Sequence, residues 1–181
     1  MPGTESAVAA LSIRPAEPRD VALLLELFGE LAEYEHLEHE LHATEERLSE
    51  ALFGGRPAAE ALIAERGPEA VGYALFFPTF SSFLASEGIW LEDLFVRLPH
   101  RGTGVGRALL SAVAARVRER AGERLEWAAL DWNEPALGFY RRLGASTMGE
   151  WITHRLDGEA LARVARGPAS DATARGSEQR R

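Results

Sequence analysis

The stretch HRGTGVGRALL, residues 100–110, constrains this chain more than any other. An apolar run, GIWLEDLFV (88–96), ends about five residues before Arg101, and a helical pattern starts at the last glycines. Glycines at 102, 104 and 106 remove side chains from a turn that feeds straight into a helix. The first turn of a helix offers unbonded N–H groups and a partial positive charge, and bare backbone lets an anion approach them. The ligand that needs such a turn is a phosphate or pyrophosphate.

Three loop types compete with a plain glycine turn. A P-loop needs GxxxxGK[ST], but all 20 basic residues are arginine, so any lysine chemistry is excluded. A dinucleotide fingerprint needs GxGxxG, and its last position falls on Arg107 or Leu109, although Asp131 would suit the ribose acid of that reading. The [QR]-x-x-G-x-[GA] loop of acyl-CoA-dependent acetyltransferases is satisfied by Arg101, Gly104 and Gly106.

The 181 residues suffice for one domain, expected over 11–166 between polar, disordered ends at 1–10 and 167–181. The spacing predicts strands at 11–16, 60–66, 70–80, 88–96, 124–132 and 150–156. Residues 81–88 are expected as a loop. Helices are expected over 18–35, from an N-cap at Thr44 to Gly54, over 104–122 with a stripe of Val105, Leu109, Val113 and Val117, over 133–144, and at 157–165. Strands that come both in a run and alternating with helices give an α+β (α/β mixed sheet) fold, a mixed sheet with helices packed on it.

No window approaches the length of a membrane span, no secretory signal is recognisable, and there is no cysteine to form a disulfide, a thiolate metal site or a nucleophile. These features fit a cytoplasmic chain. The first 160 residues hold 15 arginines against 26 acids, which disfavours nucleic acid and favours small cationic partners. His36, His39 and His42 drift off a single helix face, so no metal is expected.

Taken together, WLEDLFV, HRGTGVGRALL and LDWNEPALGFYRRLGA resemble the GNAT superfamily of N-acetyltransferases, and within it the spermidine/spermine branch; ELAEYEHLE in the first helix resembles it too. The likeness covers about residues 11–162. The expected amine is a polyamine such as spermidine or spermine; because LDWNEP also occurs in relatives acting on thialysine and other amino acids, thialysine, another amino acid or an amine drug is the alternative.

The resemblance implies a central twisted mixed sheet flanked by helices, acetyl-CoA as cosubstrate and a homodimer. It places the pyrophosphate on the backbone of Gly102, Thr103, Gly104, Val105, Gly106 and Arg107, with Arg101 and Arg107 as charge partners. Asn133, Pro135 and Ala136 would meet the cofactor arm where two parallel strands splay apart. Asn133 equally suits a helix N-cap. Main-chain amides at Leu94, Phe95 and Val96 would polarise the thioester carbonyl, beside a bulge that the sequence itself does not show.

Glu92 and Asp93 are adjacent acids in an apolar strand, so they point to opposite faces and at least one requires a specific partner. Glu92 is read as binding the amine or relaying its proton through water. Tyr140 matches the family's general acid and would also lie at the cofactor. Tyr34 and Glu35 fall where the branch contacts substrate, with Asp93, Glu150 and Trp151 as further candidates. A non-catalytic acyl-CoA-binding regulator and a nucleotide-binding module are the readings from other classes.

Overall fold

The register of one long hairpin organises the sheet. Strand β3 (Glu69–Ser81) turns at 82–85 and returns as β4 (Ser86–Val96). In the computed structural model, which describes residues 9–167, β1 (Leu11–Pro15) and β2 (Glu60–Arg66) extend this hairpin antiparallel on one side, and β5 (Arg124–Trp127) joins β4 parallel on the other. The order is β1-β2-β3-β4-β5, a mixed sheet.

Helix α1 (Val21–Glu35) and α2 (Glu45–Phe53) follow β1, and α3 (Val105–Glu119) makes the crossover from β4 to β5 that a parallel pair requires. The chain divides into two compact units at 130/131, and these strands and helices belong to the first. The second carries α4 (Glu134–Arg142) and α5 (Gly158–Arg166).

Local chemistry explains the boundaries. The Thr44 hydroxyl accepts the Arg47 N–H at 3.3 Å, capping α2, which ends before Gly54. Helix α1 ends on His36 in a left-handed conformation, its N–H returned to Ala32 and Glu33. On one side of the sheet, Leu24 and Leu27 of α1 and Leu48 and Leu52 of α2 form a core with Ile63, Tyr73 and Phe95. The stripe Val105, Leu109, Val113, Val117 of α3 is buried throughout, as its spacing requires.

Two arginines fasten the α1 layer. Arg14 binds Asp20 at 2.6 and 2.9 Å and Glu65 at 2.8 Å. Asp20 is buried, and its hydrogen-bonded Arg14 guanidinium holds its carboxyl below the usual range against the opposing cost of burial. Arg97, just past β4, reaches Glu30 at 2.6 Å, Glu26 and the Ala70 carbonyl at 2.9 Å, tying α1 to the end of the hairpin.

Three expectations change. The loop expected at 81–88 shrinks to 82–85, because β3 and β4 pair out to Ser81↔Ser86. The strand expected over 124–132 stops at Trp127. The strand expected at 150–156 is absent: its apolar pattern finds no paired neighbour among the described residues, and Trp151, Ile152 and Leu156 are exposed. The ends expected to be disordered fall almost wholly outside the described residues. No described helix is long and apolar enough to cross a membrane.

Candidate active site

Strand β4 carries the bulge that the resemblance implied. Leu75 pairs with Asp93 and Phe76 with Leu91, so Glu92 is the extra residue. On its other edge β4 bonds to β5 only as far as Leu91↔Trp127. Beyond that point the two parallel strands part, and residues 92–96 have only β3 as a ladder partner among the described residues. Alternate main-chain groups of Leu94, Phe95 and Val96 therefore point to an open edge.

The two adjacent acids fall into different surroundings. Glu92 is exposed and accepts the Trp90 indole N–H at 2.8 Å. Asp93 turns inward on the α1 side and accepts the hydroxyl of Tyr73 at 3.1 Å. Tyr73 is fully buried, with its ring 5.1 Å from that of Phe28 and 6.1 Å from that of Phe95. Burial, and then the Asp93 charge, push the Tyr73 phenol well above its ordinary range, so it donates. Burial raises Asp93 to about 6, opposed by the Tyr73 hydrogen bond and reinforced by the negative charges of Glu92 and Glu35. Desolvation also raises Glu35, in the last turn of α1. Glu35, Glu92 and Asp93 thus form one acidic cluster whose inner member changes charge near neutrality. An ammonium group placed there would be stabilised, and would in turn favour the ionised carboxylates.

A single short turn, Leu98–His100, links the end of β4 to the glycine loop. Gly102 and Gly104 have φ of 75° and 91°, and a Cβ at either would meet only open space. The Thr103 hydroxyl donates to the His100 carbonyl at 2.7 Å, closing the turn. None of the backbone N–H groups of residues 102–107 donates to a backbone acceptor among the described residues. Six donors, two left-handed glycines and the start of a 15-residue helix fit a diphosphate. Arg107 is exposed at this turn.

Arg101 has a different occupation from the one expected. Its Nε donates to the Val96 carbonyl at 2.8 Å, and its guanidinium lies 4.1 Å above the Tyr34 ring and 5.7 Å from that of Phe95. It joins the loop to the strand and to the helix end carrying Tyr34 and Glu35. The loop side and the amine side of the first unit are therefore one aromatic ring apart.

In the second unit, the Asn133 side chain accepts the Ala136 N–H at 3.3 Å and caps α4, with Pro135 in the first turn. The Tyr140 ring is half-buried, 5.2 Å from that of Phe139. Glu150 and Trp151 are exposed. Among the described residues no group of His, Asp and Glu is arranged to hold a metal.

Residues 22–145 match the acetyltransferase (GNAT) family. The chain belongs to the GNAT family of acetyltransferases. It is 35% identical over 169 residues to the thialysine Nε-acetyltransferase of Bos taurus, covering 87% of this chain and 99% of the relative. It is 32% identical to the L-ornithine N5-acetyltransferase of Arabidopsis thaliana, over 82% of this chain and 85% of the relative. An integron cassette protein from the mobile metagenome of V. cholerae superimposes with a TM-score of 0.73 at 26% identity, over 87% of this chain and 98% of that one. This GNAT protein is an acetyltransferase enzyme that uses acetyl-CoA to acetylate an amine.

Reading the sequence missed Tyr73. Tyr73 is one aromatic among many in an apolar strand. Only the hairpin register, which sets it opposite Phe95 and diagonal to Asp93, singles it out.

Proposed function

We propose that this GNAT enzyme acetylates a terminal primary amine of a small polycation, with the ω-amine of a basic amino acid of the ornithine or thialysine kind as the leading substrate. The acidic cluster of Glu35, at the end of α1, with Glu92 and Asp93, on a bulged strand that leads through one short turn to the glycine loop, carries the reading. The names of the relatives weigh toward the amino acids. A polyamine is the second reading, favoured by three carboxylates suited to successive ammonium groups.

Acetyl-CoA supplies the acyl group as a thioester. The N–H groups of residues 102–107 hold its diphosphate, assisted by Arg107, and Asn133, Pro135 and Ala136 meet the cofactor arm. Main-chain N–H groups at 94–96 face the acyl oxygen and stabilise the charge it gathers. Tyr34, Glu35 and Asp93 bind the amine, with Glu150 and Trp151 as outer contacts. An amine with a pKa of ~10.4 is almost wholly protonated at neutral pH, so Glu92 takes up its proton, directly or through water. The nitrogen then bonds to the acyl carbon, the carbon–sulfur bond breaks, the Tyr140 phenol gives a proton to sulfur, and the second proton that the nitrogen sheds on becoming an amide restores the phenol. The transfer from phenol to sulfur is uphill by ~2 kcal/mol from the ordinary pKa values. The exposed apolar side chains Trp151, Ile152, Leu161 and Val164 support a homodimer, and a cytoplasmic location completes the reading.

A CoA-release assay over ornithine, thialysine, spermidine, spermine and a simple monoamine tests this. Turnover of dications well above the monoamine is expected. No turnover of any amine by an enzyme that binds acetyl-CoA would refute the reading, and preference for spermidine over both amino acids would install the second one.

A further inference from the structure

We infer that Arg66, at the far end of β2, is a positioning residue for the diphosphate loop. The inference rests on the reading of residues 102–107 as the diphosphate site and adds a residue that lies outside the loop and its flanking motifs. Arg66 Nη2 donates to the Thr103 carbonyl at 3.3 Å and to the Thr103 hydroxyl at 3.2 Å, across 37 residues of chain. Its Nη1 donates to the Ala9 carbonyl at 3.3 Å. Arg66 is the last residue of its strand, paired with Leu11 on β1 and Glu69 on β3, so its base is fixed by ladders on both sides.

A peptide group is planar and trans, so the carbonyl of Thr103 and the N–H of Gly104 point in opposite directions from one plane. Holding the carbonyl on Arg66 turns the Gly104 N–H away from β2. Gly104 is the N-cap of α3, and its φ of 91° belongs to a region where glycine is nearly unrestrained. Without an external tether this peptide plane is the one most free to rotate, and its N–H is one of the six unpaired donors. The Thr103 hydroxyl bond to His100 closes the turn but leaves the carbonyl direction open. Arg66 supplies what glycine cannot, a fixed orientation, and it does so from behind the loop without occupying the anion's place.

The experiment measures CoA binding by calorimetry and steady-state kinetics for wild type, Arg66→Ala and Arg66→Gln, with melting temperatures as a folding control. Glutamine keeps an N–H donor and removes the charge. Arg66→Ala is expected to raise Kd for CoA and KM for acetyl-CoA about fivefold, roughly one solvent-exposed hydrogen bond, with kcat and amine KM little changed. Arg66→Gln is expected to recover much of that loss, and the loss should be equal for CoA and 3′-dephospho-CoA. Unchanged affinity in Arg66→Ala overturns the inference. So does a loss confined to CoA bearing the 3′-phosphate, or a loss that glutamine does not relieve, since either makes Arg66 a charge contact. A general fall in kcat and melting temperature overturns it in favour of a purely structural role. Failure of wild type to bind CoA would instead remove the diphosphate reading itself.

Discussion

Replacing Asp93 with asparagine should separate stability from activity. The Asp93 carboxyl is raised from 3.8 to about 6, chiefly by burial, with Glu92 and Glu35 adding negative charge and Tyr73 opposing. A group whose folded pKa lies above its unfolded value binds more protons in the native state, so its contribution to stability falls as pH rises through that interval. Fully ionised, Asp93 costs the fold about 3 kcal/mol relative to its protonated form, taking 1.36 kcal/mol for each pH unit between the two values. Asparagine keeps an oxygen to accept the Tyr73 hydroxyl and never ionises. Between about pH 8 and about pH 4.5 the wild type should therefore gain about 2 kcal/mol that the variant does not. The assay is urea unfolding of both proteins across that range, paired with amine KM at the upper end. Near pH 8 the variant should be the more stable protein, and it should bind the amine at least tenfold more weakly, because an ammonium loses a charge-assisted partner. A stability difference that does not change with pH would refute the burial argument. An unchanged amine KM would remove Asp93 from the site.

Tyr140→Phe should lower kcat about a hundredfold with little change in KM for acetyl-CoA, read by steady-state kinetics; equal kcat would dismiss the phenol from proton transfer. Gly104→Val places a β-branched residue at a φ of 91° and should weaken CoA binding about tenfold by calorimetry, while Tm falls only modestly. Arg14→Ala leaves the buried Asp20 carboxylate without its cation and should cost about 2 kcal/mol near neutral pH, discounted because Arg14 is partly exposed. Asp20 is depressed in the fold, so that loss should shrink as pH falls below the ordinary aspartate value, and urea titrations at two pH values will show whether the gap closes.

What could be read from the sequence was local. The Thr44 cap, the stop at Gly54, the α3 stripe and the glycine turn each lie within a few residues of their cause. The burial of α3 follows from period alone. The unread part depends on register and distance. Tyr73 meets Asp93 across 20 residues, and Arg66 meets Thr103 across 37. Arg101 matched the loop motif in type, yet the aromatic ring of Tyr34, on another element, decides what its guanidinium does. The run at 150–156 shows the converse error. Its β-branched and aromatic residues suit a strand, and composition alone cannot supply the neighbour.

The extra residue at Glu92 also resets the phase of β4. Directly opposed residues share a face, so Leu91 lies with Phe76 while Phe95 lies with Tyr73, and the buried odd-numbered residues before and after the bulge serve opposite layers. One uninterrupted strand thereby feeds two cores, and the point of crossover is the acid assigned to the chemistry. Deleting that single codon would leave Leu91 opposite Phe76 and Asp93 opposite Leu75, so every later side chain keeps its layer and only the bulge closes. An insertion of one residue elsewhere in β4 should disrupt both cores, whereas excision at 92 should spare them and remove the acid and the kink together.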